Sequence, residues 1–132
     1  MRTSDSERGA AAVEFALVLP VLILIVLGIV DFGRVFNAQQ TLTFAARAGA
    51  RAMVLQNSTS AAITAAQNGA STLGTLPASA FTISPSACPA PGQTPAGTVP
   101  PSITFTANYT FAGTGFFGSF ALQGKGVMLC GG

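Results

Sequence analysis

The first pattern in the chain is an almost unbroken run of apolar residues from Ala10 to Val30. Only Glu14 and Pro20 interrupt it. An α-helix rises 1.5 Å per residue, so the run spans about 30 Å, the thickness of the hydrocarbon core of a bilayer. Glu14 opposes insertion, but a charge near one end of a span costs less than a charge at its centre. The pattern therefore predicts a membrane-inserting helix over residues 10–30.

Two features of this run have alternative explanations. Pro20 removes one backbone hydrogen bond, so we expect a helix kink there, but membrane helices also tolerate proline without a functional bend. The run also has to be distinguished from a cleaved secretory signal, which needs small residues at its exit. The exit, VDFGRVFNAQQ, has bulky residues instead, and the helical pattern continues past it. A removable secretory signal is therefore disfavoured.

After Val30 the pattern becomes amphipathic, which predicts that the helix continues over residues 31–56 as an exposed half. Apolar residues recur with a spacing close to the 3.6-residue period of a helix. The members of this apolar face are Phe32, Val35, Phe36, Leu42, Ala45, Ala46, Gly49 and Met53. Arg34, Arg47 and Arg51 fall on other faces, where solvent or another subunit would surround them.

Residues 57–132 predict a small domain of short elements. Asn57 begins a break in the helix, and residues 60–73 form an Ala-rich pattern typical of a short second helix. Residues 81–83, Phe-Thr-Ile, predict a short strand. Residues 85–101 contain six of the eight prolines, which predicts a loop with extended or polyproline character.

The clearest strand pattern lies within residues 102–130, which we expect to form a β-hairpin. Between Ile103 and Phe111 apolar and polar residues alternate, as in a strand with one buried face. Residues 119–130 would return as a weaker strand, because glycines occupy positions 124 and 126. The expected fold class is α+β, with the long N-terminal helix packed on a small antiparallel sheet.

Composition argues against an enzyme, a metal centre and a nucleic-acid-binding surface. Charged residues make up 8% of the chain, and His and Trp are absent. Acid–base and metal chemistry need residue types that this chain lacks, since no acid follows Asp31. The net charge of +2 is too small to indicate nucleic-acid binding. We therefore expect no catalytic residues, no cofactor and no metal.

Two cysteines, Cys88 and Cys130, allow a single intramolecular disulfide. Such a bond would close a loop of about 40 residues and stabilise the fold by roughly 4 kcal/mol in the chain-entropy model. It would also require an oxidising compartment, which places the C-terminal domain outside the cytoplasm. Two free buried thiols are the alternative.

A short polar leader, MRTSDSERG, precedes the apolar run and ends at Gly9. Glu14 lies five residues after that glycine and Phe15 follows it. With these features the stretch from Arg8 to Ala52 resembles type IV pilin-like precursors and, within them, the TadE-like family of minor pilins and pseudopilins. The resemblance covers about a third of the chain and fades beyond residue 56.

The resemblance implies a leader peptide over residues 1–9 that a prepilin peptidase removes between Gly9 and Ala10. Glu14 and Phe15 would then be the fifth and sixth mature residues and would act in recognition and assembly. The implied role of Glu14 is to neutralise the new ammonium group at Ala10 of a neighbouring subunit. Glu14 without any partner, with its carboxylate extended to the membrane interface, is the alternative.

The implied function is that of a minor pilin or pseudopilin of a tight-adherence pilus, which supports surface adhesion. The implied partners are prepilin peptidase, other pilin subunits in a homo- or hetero-oligomeric filament, the inner-membrane assembly platform and membrane lipid. The protein would span the bacterial cytoplasmic membrane once, with residues 57–132 outside, and would reach the surface after assembly. The alternatives are a main filament subunit and an uncleaved single-pass membrane-anchored binding or structural protein.

Overall fold

The structure, a computed structural model, describes residues 3–90, 93, 100–115 and 117–130, with only the backbone for residues 3–8. Two α-helices are followed by two 3₁₀ turns and three strands. In chain order these are α1 (Thr3–Gln56), α2 (Thr59–Gly69), 3₁₀ turns at Ser71–Leu73 and Ala78–Ala80, β1 (Phe81–Ser84), β2 (Ser102–Ala112) and β3 (Ser119–Leu129). The expected α+β fold is confirmed. The chain divides into two compact units, residues 1–34 and 35–132.

Helix α1 begins at Thr3, seven residues before the start that the apolar pattern indicates. Residues 3–9 are therefore helical as well. The helix also continues through Pro20, and it ends at Gln56 as expected.

The hydrophobic core of the second unit forms where α1, α2 and β2 pack together. Alanine supplies much of it, and small side chains allow helices and strands to approach closely. The buried members from α1 are Leu42, Ala45, Ala46, Ala50 and Met53; those from α2 are Ala62 and Ala66; those from β2 are Ile103, Phe105 and Ala107. The expectation that the sheet packs on the amphipathic half of α1 agrees with this arrangement.

The predicted apolar face of α1 is not covered at its N-terminal end. Phe32 is 74% exposed and Phe36 is 58% exposed, whereas the members of the face from Leu42 onward are buried. Periodicity identifies a face but cannot show how far a partner covers it. The covered part of the helix is the part whose inward residues are mostly small.

The sheet has the order β1–β2–β3 and is antiparallel throughout. In β2 the residues Ile103, Phe105 and Ala107 are buried, while Thr104 and Thr106 on the other face are half-buried. This alternation agrees with the strand predicted from residue 103 to residue 111. The proline-rich loop expected at 85–101 contains no strand in its described residues, and its polyproline character at residues 91, 92 and 94–99 lies outside the described residues.

Gly124 and Gly126, which the sequence suggests only as weak points of a strand, are the places where β3 contacts the backbone of α1. A methyl group on Gly126 would lie 2.5 Å from the main-chain oxygen of Ala46 and 2.7 Å from the nitrogen of Arg47. A methyl group on Gly124 would overlap the main chain at Leu42. The absence of a side chain at these two positions therefore sets the distance between helix and strand.

This contact predicts that Gly126→Ala destabilises the second unit. The new methyl group meets rigid main chain, and overpacking of this kind costs about 1–3 kcal/mol. The melting temperature, followed by circular dichroism on the full chain in detergent, should fall by about 4–8 °C for each kcal/mol. Ala121→Val, on an exposed position of the same strand, is the control and should leave it nearly unchanged. Equal melting temperatures for the two variants would contradict the contact.

Candidate functional site

The candidate functional site is the apolar part of α1 in the first unit. Between Val13 and Val26 its large hydrophobic side chains are 39 to 72% exposed. A surface of this length and apolarity is unfavourable in water, because full burial would stabilise each Val, Leu, Ile or Phe side chain by about 1.5–3 kcal/mol. Within the described residues α1 is the one helix long and apolar enough to cross a membrane, by length and composition.

The residues implied in cleavage and assembly lie together on the first turns of this segment. Gly9 and Ala10 are exposed and helical. Glu14 is exposed one turn after Ala10, and it lines a shallow surface depression with Ala11, Phe15 and Val18. The described residues thus bring Ala10 and Glu14 to one face of one helix, since residues four apart are neighbours on a helix surface.

Pro20 lies within α1, six residues after Glu14. Its ring nitrogen has no hydrogen, so it cannot donate the backbone bond that a helix normally makes to the carbonyl of Ala16. The helix is assigned as continuous on both sides of it. A kink at Pro20 stays a prediction.

Residues 9–51 match the family model described as TadE-like protein. The N-terminal segment is TadE-like. The match covers about a third of the chain, and it begins at the glycine and ends within the amphipathic half of α1. It confirms the resemblance drawn from the stretch Arg8–Ala52. Comparison with curated proteins and with solved structures finds no match.

The match relates residues 9–51 to a family of pilus-related structural proteins. Similarity of this segment to a pilin-like family is consistent with interactions between subunits and with association with a membrane. Residues 52–132 lie outside the match. Among the residues that the structure describes, no group of three or more His, Cys, Asp or Glu side chains is arranged to hold a metal ion.

Cys88 and Cys130 form a disulfide in the structure, with an S–S distance of 2.02 Å and a Cα–Cα distance of 5.6 Å. The bond joins the loop after β1 to the end of β3. Cys130 also donates its backbone N–H to the carbonyl of Pro101 at 2.7 Å, which continues the β2–β3 pairing by one step. The pair is the one that the cysteine count allows.

Asn57 makes a side-chain contact with Cys88 that the sequence did not indicate. The segment Asn57–Thr59 was expected as a break and cap after α1, and Asn57 does have a left-handed backbone with φ of 45°. Its side-chain oxygen accepts the N–H of Cys88 at 2.9 Å, and its amide nitrogen lies 3.5 Å from the carbonyl of Cys88. Ser58 then caps α2 by accepting a hydrogen bond from the N–H of Ala61. The end of α1 is thus tied to the disulfide.

We expect Asn57→Ala to lower the free energy of unfolding by about 1–2 kcal/mol. It removes hydrogen bonds worth about 1 kcal/mol, and alanine lacks the polar side chain that lets asparagine adopt a left-handed backbone more readily than other residues with a Cβ. Asn57→Gly removes the same hydrogen bonds but also removes the Cβ that strains this backbone, so it should lose less stability than the alanine variant. Urea unfolding of the oxidised full chain in detergent measures both. If the two variants were equally stable, the backbone strain would have no role.

Proposed function

We propose that this protein is a minor pilin or pseudopilin of a tight-adherence pilus, processed by a prepilin peptidase between Gly9 and Ala10 and assembled through its N-terminal helix. The single observation that supports it most is the exposed apolar start of α1, inside the TadE-like match, with Glu14 five residues after Gly9. In this role the protein supports surface adhesion and holds residues 57–132 outside the membrane.

In the first step of the mechanism, the apolar helix, which is initially inserted in a membrane, moves from lipid into contact with neighbouring helices. Both environments bury the same side chains, so the transfer leaves the hydrophobic free energy nearly unchanged and packing decides it. Ala10, Ala11, Ala12 and Ala16 give the start of the mature helix a small-residue surface. Such surfaces let helix backbones approach closely in an apolar medium.

The second step is a charge pair. Cleavage after Gly9 leaves an ammonium group on Ala10, and an unpaired charge in an apolar environment costs several kcal/mol. The carboxylate of Glu14 from a neighbouring subunit neutralises it. The pair forms only when subunits are in register, so it selects the correct axial position as well as stabilising it.

The third part of the proposal concerns the side of the membrane on which the second unit lies. The Cys88–Cys130 disulfide is typical of proteins in oxidising compartments. We therefore place the chain across the cytoplasmic membrane once, with the disulfide-bonded part outside and the leader on the side of the prepilin peptidase and the assembly platform.

Cleavage is tested by the intact mass of the protein from sheared surface fractions and from membranes. We expect the mass of Ala10–Gly132 in the sheared fraction. Gly9→Val should leave the full-length mass in the membrane, because a side chain at that position hinders the protease. Gly33→Val is a matched control, since at either glycine a Cβ would meet nothing within 4 Å beyond the adjoining backbone of its own helix. Full-length protein from the unsubstituted chain would disprove processing.

Assembly is tested separately by replacing Glu14. Glu14→Ala and Glu14→Gln should be processed normally but reach the sheared fraction at least about tenfold less, because one charge of a pair in an apolar environment is left alone. Glu14→Asp keeps the charge and should restore part of the signal. Immunoblots of membrane and sheared fractions give the ratio. Normal incorporation of the Ala variant would remove the charge pair from the mechanism.

One observation favours the second candidate function, an uncleaved single-pass membrane-anchored structural or binding protein. Helix α1 runs without a break from Thr3 past Gly9 and Ala10, so the bond to be cut lies within a helix. Gly9 reduces the cost of local unwinding, since glycine destabilises a helix interior by about 0.5–1 kcal/mol relative to alanine. The intact mass of the unsubstituted protein distinguishes the two functions.

A further inference from the structure

The side of α1 that faces away from the core in the second unit has a regular arrangement of its own. We call it the outer stripe; its members are Phe36, Gln40, Phe44, Arg47, Arg51 and Leu55. At 100° per residue these positions fall within an arc of about 100°, and they extend over about 29 Å of the helix. The stripe is therefore one continuous surface.

Large apolar side chains on the outer stripe are uncovered. Phe44 is 65% exposed and Leu55 is 67% exposed, and Phe36 is exposed as well. Leu42 and Ala46, on the opposite side of the same turns, are fully buried. Phe44 and Arg47 also line a shallow depression with Gln39, Gln40 and Thr43. Single exposed apolar residues are ordinary, but an aligned set on one helix face is typical of a surface that binds a partner.

The charges on the stripe indicate what kind of partner fits. Arg47 and Arg51 lie one helical turn apart, and both are exposed. No Asp or Glu occurs in the sequence after Asp31, so residues 32–132 of a second copy have no carboxylate side chain to pair with them. Symmetric pairing of two stripes would instead bring like charges together. The complementary surface has to supply carboxylates that this part of the chain lacks.

The position of the arginines within the stripe argues against a lipid surface. A helix that lies on a membrane has its cations on or beside the polar face, away from the apolar residues that enter the lipid. Here Arg47 and Arg51 lie at the middle of the arc, between the directions of Phe36 and Leu55. Insertion of the phenylalanines into lipid would bury both guanidinium groups.

We propose that the outer stripe binds an amphipathic helix of a different protein, one that presents apolar residues together with carboxylates one helical turn apart. Phe36, Phe44 and Leu55 supply the apolar contacts, and each guanidinium forms a two-pronged hydrogen bond with a carboxylate. The inference deepens the proposed function by naming the chemistry of a partner. It rests on that function only in assuming that the protein works in an assembly.

The test is site-specific photo-crosslinking in the native membrane with the full chain. A photoreactive residue replaces Gln40, which lies within the stripe, and in a matched control it replaces Thr110, an exposed residue of β2. We expect an adduct from position 40 only, joined to a helix of a different protein that has two carboxylates four residues apart. Arg47→Glu with Arg51→Glu should reduce that adduct at least about fivefold, and Arg47→Lys with Arg51→Lys should retain most of it.

Several outcomes would overturn the inference. These are an adduct between two copies of this chain, an adduct with lipid, an adduct with a segment that has no carboxylate pair, equal adducts from both positions, and no adduct at all. The mass of the Cys88–Cys130-linked form, measured on each variant, shows that the fold is intact. The proposed function is tested separately by the intact mass of the protein, which shows whether the leader has been removed and does not depend on the outer stripe.

Discussion

The second unit depends on the close approach of β3 to the backbone of α1. Because Gly124 and Gly126 lack side chains, the strand lies directly against the helix at Leu42 and Ala46. Phe105, which pairs with Gly126 across the sheet, reaches over the helix and covers Gly49. The same principle explains the alanine-rich helix faces, since large residues at those positions would separate the layers. A core with few large side chains is thus stable because its backbones are close together.

The two units of the chain differ in how their apolar side chains are removed from water. Residues 35–132 bury their apolar face within the chain, on α2 and the sheet. The apolar start of α1 buries nothing within the first unit, so its stable state needs lipid or other helices. The TadE-like match covers this exposed start and part of the buried helix, and it ends at residue 51, before α2 and the sheet. The part of this protein that resembles the family is therefore the long helix, and the sheet lies outside the match.

Much of this fold could be predicted from periodicity and composition, and the exceptions have physical causes. The strand alternation from Ile103 to Phe111 and the helix ending at Gln56 are strong local patterns. The exposure of Phe36 could not be predicted, because covering one part of a helix face depends on contacts distant in sequence. The role of Gly126 could not be predicted for the same reason. From sequence alone a glycine in a strand indicates only a less stable strand, and its packing role appears once the helix that lies against it is known. The proposed leader cleavage and the proposed role of Glu14 depend on partners that a single chain does not contain.

The disulfide also determines which parts of the protein can be stretched. Cys88 and Cys130 enclose β2 and β3 in a covalent ring, while α1 lies outside that ring. A pull along α1 against a bound sheet cannot extend the hairpin beyond the disulfide. The tension falls instead on the noncovalent interface between helix and strand, and on the segment from Asn57 to Cys88. Under such a pull the helix would detach from the sheet, while the disulfide keeps β2 and β3 within one covalent ring.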